Sequence, residues 1–172
     1  ETAKKIAASL VSGSNAAILL GNFAQQHPQA ATLNALAQQL AGLLGAKFGF
    51  LGEAANSVGG YVAAALPAGA GMNAAAMLAD PRKVYLLLGA EPELDCADGA
   101  RALAAMRQAS SVIVLSPFKS QAALDYADVM LPVSPFSETS GTFVNTEGRA
   151  QSFYAVAKPQ GEARPAWKVL RV

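Results

Sequence analysis

The densest concentration of reactive side chains in this sequence is the fourteen-residue run Glu138-Thr139-Ser140-Gly141-Thr142-Phe143-Val144-Asn145-Thr146-Glu147-Gly148-Arg149-Ala150-Gln151. Its two glycines let the backbone approach a ligand or another chain closely. Asn145, Arg149 and Gln151 supply amide and guanidinium donors of the kind that hold a phosphate or the edge of a pterin ring. The same groups are equally able to satisfy one another and the backbone of their own loop. Residue types alone leave both readings open.

Other candidates carry less. Asp125, Asp128 and Glu138 could be offered as carboxylates for acid–base work, and Ser116 or Ser120 as nucleophiles. The single histidine, His27, lies far away in sequence beside Pro28, so no base is in view. Helix caps and solvated charges are the plainer reading. Cys96 stands alone, which excludes an intrachain disulfide and a four-cysteine iron–sulfur site, and one histidine adds too little for zinc. With Asp95 and Asp98 as neighbours, Cys96 has an acidic setting unsuited to a reactive thiol. The turns Gly89-Ala90-Glu91-Pro92 and Ser116-Pro117-Phe118 follow apolar runs, where open α/β sheets bind ligands. Neither has the Gly-x-Gly-x-x-Gly or Gly-Lys-Ser/Thr pattern of a dinucleotide or triphosphate loop, so no NAD site is expected.

These residues need a scaffold, and the chain spells one out. Short apolar runs at Ala16–Gly21, Lys47–Leu51, Val84–Leu88, Ser111–Leu115 and Val129–Leu131 read as buried parallel strands. Helical periodicity separates them: Glu1–Val11, Pro28 to Gly45, Met72–Leu78, Asp98–Gln108 and Gln121–Tyr126, with Gly52–Gly71 mostly loop around a helical patch at Tyr61–Leu66. The alternation predicts an α/β fold, a doubly wound and mostly parallel sheet with helices on both faces. Residues 1–132 are expected to form that core. Residues 133–172 are expected to pack on it as a long loop, a hairpin with β pieces at Thr142–Asn145 and Ala150–Val156, and a helix over Glu162–Val172 in one compact unit.

Composition narrows the class. The 172 residues can bury one real core without disulfides or metals. Hydrophobic residues are 52% and charged residues 15%, apolar enough to suggest surface covered by neighbouring protein. A net charge of +1 with scattered basic residues gives no nucleic-acid footprint and no polybasic membrane patch. No apolar run approaches the roughly 20 residues of a bilayer span. The chain opens at Glu1 in helical pattern and closes at Val172 in another, as a piece of something longer would.

Ala127-Asp128-Val129-Met130-Leu131-Pro132 followed by the run Glu138–Gln151 resembles the molybdopterin oxidoreductase superfamily, in spacing as well as residue type. Ser116-Pro117-Phe118, the same run, and Lys158 to Leu170 look like the large iron–sulfur subunit of bacterial NADH–quinone oxidoreductase, respiratory complex I. The first two thirds fit more loosely, through Leu88-Gly89-Ala90-Glu91-Pro92-Glu93, where pterin-binding relatives often have Asn-Pro after the glycine. Glu91 departs from that pattern at a turn that meets the nucleotide part of the cofactor, and an acidic group there opposes a phosphate. The resemblance implies a domain that has lost its pterin and persists as scaffold, inactive alone. Iron–sulfur clusters would belong to a cysteine-rich part of the parent subunit, outside this chain. Its partners would be the rest of its own subunit and other peripheral-arm subunits, on the cytoplasmic face of the inner membrane. Glu91, Glu138, Thr139, Gly141, Thr142, Asn145, Glu147, Gly148, Arg149 and Gln151 would be the remnants of the cofactor loop. The alternative is the cofactor-binding domain of a true molybdopterin enzyme, such as a formate dehydrogenase or nitrate reductase.

Overall fold

A computed structural model describes residues 1–171. The chain alternates helices and strands in the order α1 (Thr2–Ser12), β1 (Ala17–Leu20), α2 (Asn22–Gln25), α3 (Ala30–Leu44), β2 (Lys47–Phe50), α4 (Ser57–Val62), α5 (Ala74–Ala79), β3 (Val84–Leu88), α6 (Pro92–Asp95), α7 (Gly99–Gln108), β4 (Ser111–Ser116), α8 (Gln121–Tyr126) and β5 (Val129–Pro132). A 3₁₀ turn at Phe136–Glu138, the strands β6 (Gly141–Val144) and β7 (Ala150–Phe153), and α9 (Ala166–Leu170) complete it. The α/β class with parallel strands is as the sequence predicts.

The strands divide into separate ladders: β1 with β2, β3–β4–β5, and β6 with β7. The first two ladders are parallel throughout. The chain forms two compact units, one of residues 1–64 with 143–151, the other of residues 65–142 with 152–172. This division does not follow the boundary expected after residue 132. The hairpin explains why: its stem begins in one unit and its tip counts with the other.

In the unit of residues 65–142 and 152–172, the core lies on one face of the three-stranded ladder. Tyr85 pairs with Val112, and Val114 with Met130. Because strand side chains alternate, these positions share a face, and they pack with Ala105 and Met106 of α7 and Ala123 and Tyr126 of α8. Met77 and Leu78 of α5 close the cluster. On the opposite face Val84, Leu86, Leu88, Val129 and Leu131 remain exposed, whereas Leu115 is buried. Helices thus cover one face of this ladder and leave most of the other open, although parallel sheets are ordinarily covered on both.

Short polar side chains start α5, α7 and α8. Asn73 caps α5 through the Ala76 N–H at 2.8 Å, Asp98 caps α7 through the Arg101 N–H at 2.9 Å, and Ser120 caps α8 through the Ala123 N–H at 3.1 Å. Each satisfies a donor that the first turn leaves unpaired.

In the unit of residues 1–64 and 143–151, α3 packs on the β1–β2 ladder, and Ala41 is its buried hydrophobic residue. The Gln25 amide donates to the carbonyls of Leu20 at 3.2 Å and Leu51 at 3.0 Å, tying the ends of the two strands together. The helical patch predicted around Tyr61–Leu66 lies earlier, at Ser57–Val62, because the chain leaves the helix at Ala63 and Ala64 takes a φ of 53°. The last predicted helix, Glu162–Val172, is also shorter. It begins at Ala166 because Pro165 disfavours helical geometry in Arg164 before it; Val172 lies outside the described residues.

Candidate functional site

The polar run Glu138–Gln151 forms the hairpin and its approach, and most of its groups bond to nearby chain. At the tip, Asn145 Oδ1 accepts the N–H of Glu147 at 3.0 Å and of Arg149 at 2.9 Å. The Asn145 N–H donates to the Arg149 carbonyl at 3.1 Å, and the Gly148 N–H to the Asn145 carbonyl at 2.9 Å. Gly148 has φ 81°, a left-handed conformation that glycine adopts without strain. Asn145 is therefore the keystone of a tight turn that brings Glu147, Gly148 and Arg149 together. Asn56, at the N-cap of α4, was not singled out by the sequence. Its Oδ1 accepts the Val144 N–H at 2.8 Å across 88 residues and anchors the tip beside the loop after β2.

The stem is closed in the same way. Glu138 Oε2 accepts the Gln160 N–H at 3.3 Å, and Thr139 Oγ1 donates to the Ser134 carbonyl at 3.4 Å. Thr142 Oγ1 and Ser152 Oγ lie 2.9 Å apart, and Ser140 Oγ accepts the Ala155 N–H at 3.1 Å. Gly141 lies against the Phe153 ring, where a Cβ would come within 2.8 Å of a ring carbon. Within this run, Glu147, Arg149 and Gln151 project exposed side chains for which no hydrogen bond or ion pair is seen among the described residues.

The other candidates also have structural partners. Asp128 Oδ2 accepts the Val112 N–H at 2.7 Å while its own N–H donates to the Val112 carbonyl at 2.9 Å, a staple between the starts of β4 and β5. Asp125 accepts from the Gln121 amide at 3.2 Å. Ser116 Oγ accepts the Phe118 N–H at 3.1 Å, and Ser120 is the α8 cap. Asp125, Asp128 and Glu138 each answer a different donor and are not assembled as an acid–base pair.

The turn after β3 places Glu91 at the N-cap of α6, exposed to solvent. Its N–H donates to Asp95 Oδ2 at 2.7 Å, the length of a strong charge-assisted bond. Asp95 was noted in the sequence only as a neighbour of Cys96; Pro92 at the first helical position, with carboxylates in the turn after it, was the available signal. Glu93 accepts the Tyr126 hydroxyl at 3.4 Å. Burial, then the charge of Glu93 and its hydrogen bond, then the charge of Glu91, push the Tyr126 hydroxyl up to about 12.

Two hollows accompany these elements. One of about 340 Å³ runs along β3, with Met77, Leu78, Tyr85, Pro92, Cys96 and Met106 among its walls. The other, about 350 Å³, opens at the end of β2 between Phe50, Leu51, Gly52, Glu53, Asn145 and Thr146. No cation lines either one, and the Glu53 carboxylate in the second already receives the Gln26 amide at 3.2 and 3.1 Å. Among the described residues no three His, Cys, Asp or Glu side chains group as metal ligands, and no helix is long and apolar enough to cross a membrane.

Parallel strands alternating with helices define an α/β fold. The family model for molybdopterin oxidoreductases matches residues 1–172, and the chain belongs to that family. Over 46 residues it is 54% identical to the mitochondrial NADH-ubiquinone oxidoreductase 78 kDa subunit of Candida albicans, 27% of this chain and 6% of that protein. It is 52% identical over 46 residues to a Staphylococcus aureus protein named "putative formate dehydrogenase", covering 27% and 5%. It is 43% identical over 67 residues to the Bacillus subtilis "probable oxidoreductase YjgC", covering 39% and 7%. The matched stretches are thus a small fraction of the relatives' length.

The family implies a molybdopterin cofactor, and this chain's turn after β3 does not fit the phosphate-bearing part of one. A phosphate needs free N–H donors or cations. Here the Glu91 N–H is taken by a carboxylate, and Glu91 and Glu93 add further negative charge.

Proposed function

We propose that this chain is a non-catalytic scaffold domain of the large iron–sulfur subunit of an NADH–quinone oxidoreductase, part of an assembly passing electrons from NADH through iron–sulfur clusters to quinone. The observation that carries this reading is the internal engagement of the ligand-facing polar groups, above all Asp95 on Glu91 and Asn145 on Glu147 and Arg149. The match to the Candida albicans subunit supports it. In this reading the domain holds no cofactor, the clusters sit elsewhere in the parent subunit, and the exposed face of Val84, Leu86, Leu88, Val129 and Leu131 is covered by the remaining domains of that subunit or by other peripheral-arm subunits. The assembly lies on the cytoplasmic face of the inner membrane, peripheral to it.

In this reading Glu138, Thr139, Gly141, Thr142, Asn145, Glu147, Gly148, Arg149 and Gln151 descend from a cofactor loop that is now held chiefly by internal contacts, those of Asn145, Glu138 and Thr139 foremost. Asn145→Ala and Arg149→Ala in the intact parent protein test it. The expected result is weaker assembly of the complex; full assembly and unchanged stability in both variants would contradict it. The Staphylococcus aureus match favours a second reading, the cofactor-binding domain of a molybdopterin oxidoreductase such as a formate dehydrogenase. In that case the side chains of Arg149 and Gln151, exposed and without a partner among the described residues, would be the donors that meet the cofactor.

A further inference from the structure

We infer that Asp95 occupies, from within the chain, the place at the end of β3 that a ligand's phosphate would take, and that it closes this turn to pyrophosphate-bearing ligands. The inference rests on the scaffold reading and assigns the loss of binding to a particular residue. In open α/β sheets, anionic ligands lie outside the carboxyl ends of the strands and are held largely by backbone N–H groups of the following turn. At β3 all but one of those donors in Gly89–Pro92 are accounted for. The Gly89 N–H donates to the Leu115 carbonyl at 2.9 Å, the Glu91 N–H donates to Asp95 Oδ2 at 2.7 Å, and Pro92 has no N–H to give. Among the described residues, Ala90 is the one residue of Gly89–Pro92 whose N–H has no partner.

Charge acts in the same direction. Between Val84 and Ala100 the sequence contains Glu91, Glu93, Asp95 and Asp98 and no lysine or arginine. Asp98 is engaged as the α7 cap and Glu93 with the Tyr126 hydroxyl, which leaves Asp95, seated on the Glu91 N–H, and the exposed Glu91 carboxylate as the remaining charges of this turn. An incoming phosphate would have to displace one carboxylate and lie beside another, and like charges at such distances repel strongly outside bulk water. Burial first, and after it the charges of Glu93 and Glu91, raise the neighbouring Tyr126 hydroxyl, in keeping with a negative field at this turn. The closure is built from ordinary turn chemistry, which is why nothing in the residue types announces it.

The test titrates inorganic pyrophosphate into the full chain while the amide resonances of Gly89 to Leu94 are followed by NMR. Millimolar pyrophosphate is expected to leave them unmoved in the wild type. Glu91→Gln combined with Asp95→Ala frees the donor and removes both charges; it is expected to shift those amides on titration and to bind at least about tenfold more tightly. Asp95→Asn keeps an acceptor in place and is expected to stay closed. Circular dichroism confirms that each variant is folded; if the double variant is not, Asp95→Ser replaces Asp95→Ala in it. Wild-type binding with shifts at Gly89 to Leu94 would overturn the inference, as would a folded double variant that ignores pyrophosphate. Neither result depends on the cofactor content of the parent protein, so this inference and the scaffold reading fail separately.

Discussion

The two units hold themselves together by different means. In the unit built on β3–β5, Tyr85, Met106, Val112, Val114, Ala123 and Tyr126 form a continuous buried cluster. In the unit of residues 1–64 and 143–151, Ala41 is the one buried hydrophobic residue among those described, and Phe23, Leu36, Leu43, Tyr61 and Val62 are exposed. There, side-chain amides carry the organisation: Gln25 bridges the strand ends, Asn56 holds Val144, and Asn145 folds the turn. Burial gives cooperative stability over many contacts, whereas a side-chain to backbone bond fixes local geometry for a net of about 1 kcal/mol. The first kind of unit supports itself. Both expose apolar surface of the sort that neighbouring protein covers, Val84, Leu86 and Leu88 in the first and Leu36, Leu43 and Tyr61 in the second, but the second has no comparable buried cluster among the described residues.

Substitutions sharpen that contrast. The largest effect is expected from Met106→Ala, which empties a site 2% exposed at the centre of the cluster: about 2–5 kcal/mol by urea denaturation. Leu43→Ala, at 80% exposure on α3, should change stability by no more than about 0.5 kcal/mol. Equal losses from the two would erase the distinction. Next comes Asp128→Ala, which leaves the Val112 N–H without its carboxylate and should cost about 1–3 kcal/mol.

Asn145→Ala removes the acceptor of two N–H groups and should cost about 1 kcal/mol, with faster hydrogen exchange at Glu147 and Arg149 and little change in β3–β5. Asn145→Asp keeps that acceptor and should restore protection. Unchanged exchange in the alanine variant would mean that the amide is not the keystone.

The smallest effect concerns pH. Tyr126 holds its proton up to about 12 in the fold but ionises near 10 when unfolded. A folded-state pKa raised above the unfolded value gives stability that is complete below pH 10 and is lost as pH rises toward 12. Tyr126→Phe should flatten that decline, read as urea midpoints between pH 9 and 11, roughly the window the two pKa values bracket.

Much of this fold was legible in the sequence, and for physical reasons. Val84–Leu88 is an uninterrupted apolar run, and Gln121–Tyr126 has a serine cap before it, so each was found at its observed place. Local patterning says nothing about which strands adjoin, and the expected single sheet is two parallel ladders. The reach of Asn56 to Val144 spans 88 residues and leaves no local trace. The polar run was recognised as special by its composition, but composition could not decide between grip on a ligand and self-satisfaction. Hydrogen-bond geometry places Asn145, Glu138 and Thr139 with the second, while Arg149 and Gln151 project from the chain.

The central claim, a molybdopterin-family domain retained as scaffold, is tested most directly by metal and cofactor analysis of the intact parent protein, seeking molybdenum, tungsten and released pterin alongside iron and sulfide. Iron and sulfide without pterin is the predicted result. Stoichiometric molybdenum or tungsten with pterin would contradict it and make Glu138–Gln151 a working cofactor loop.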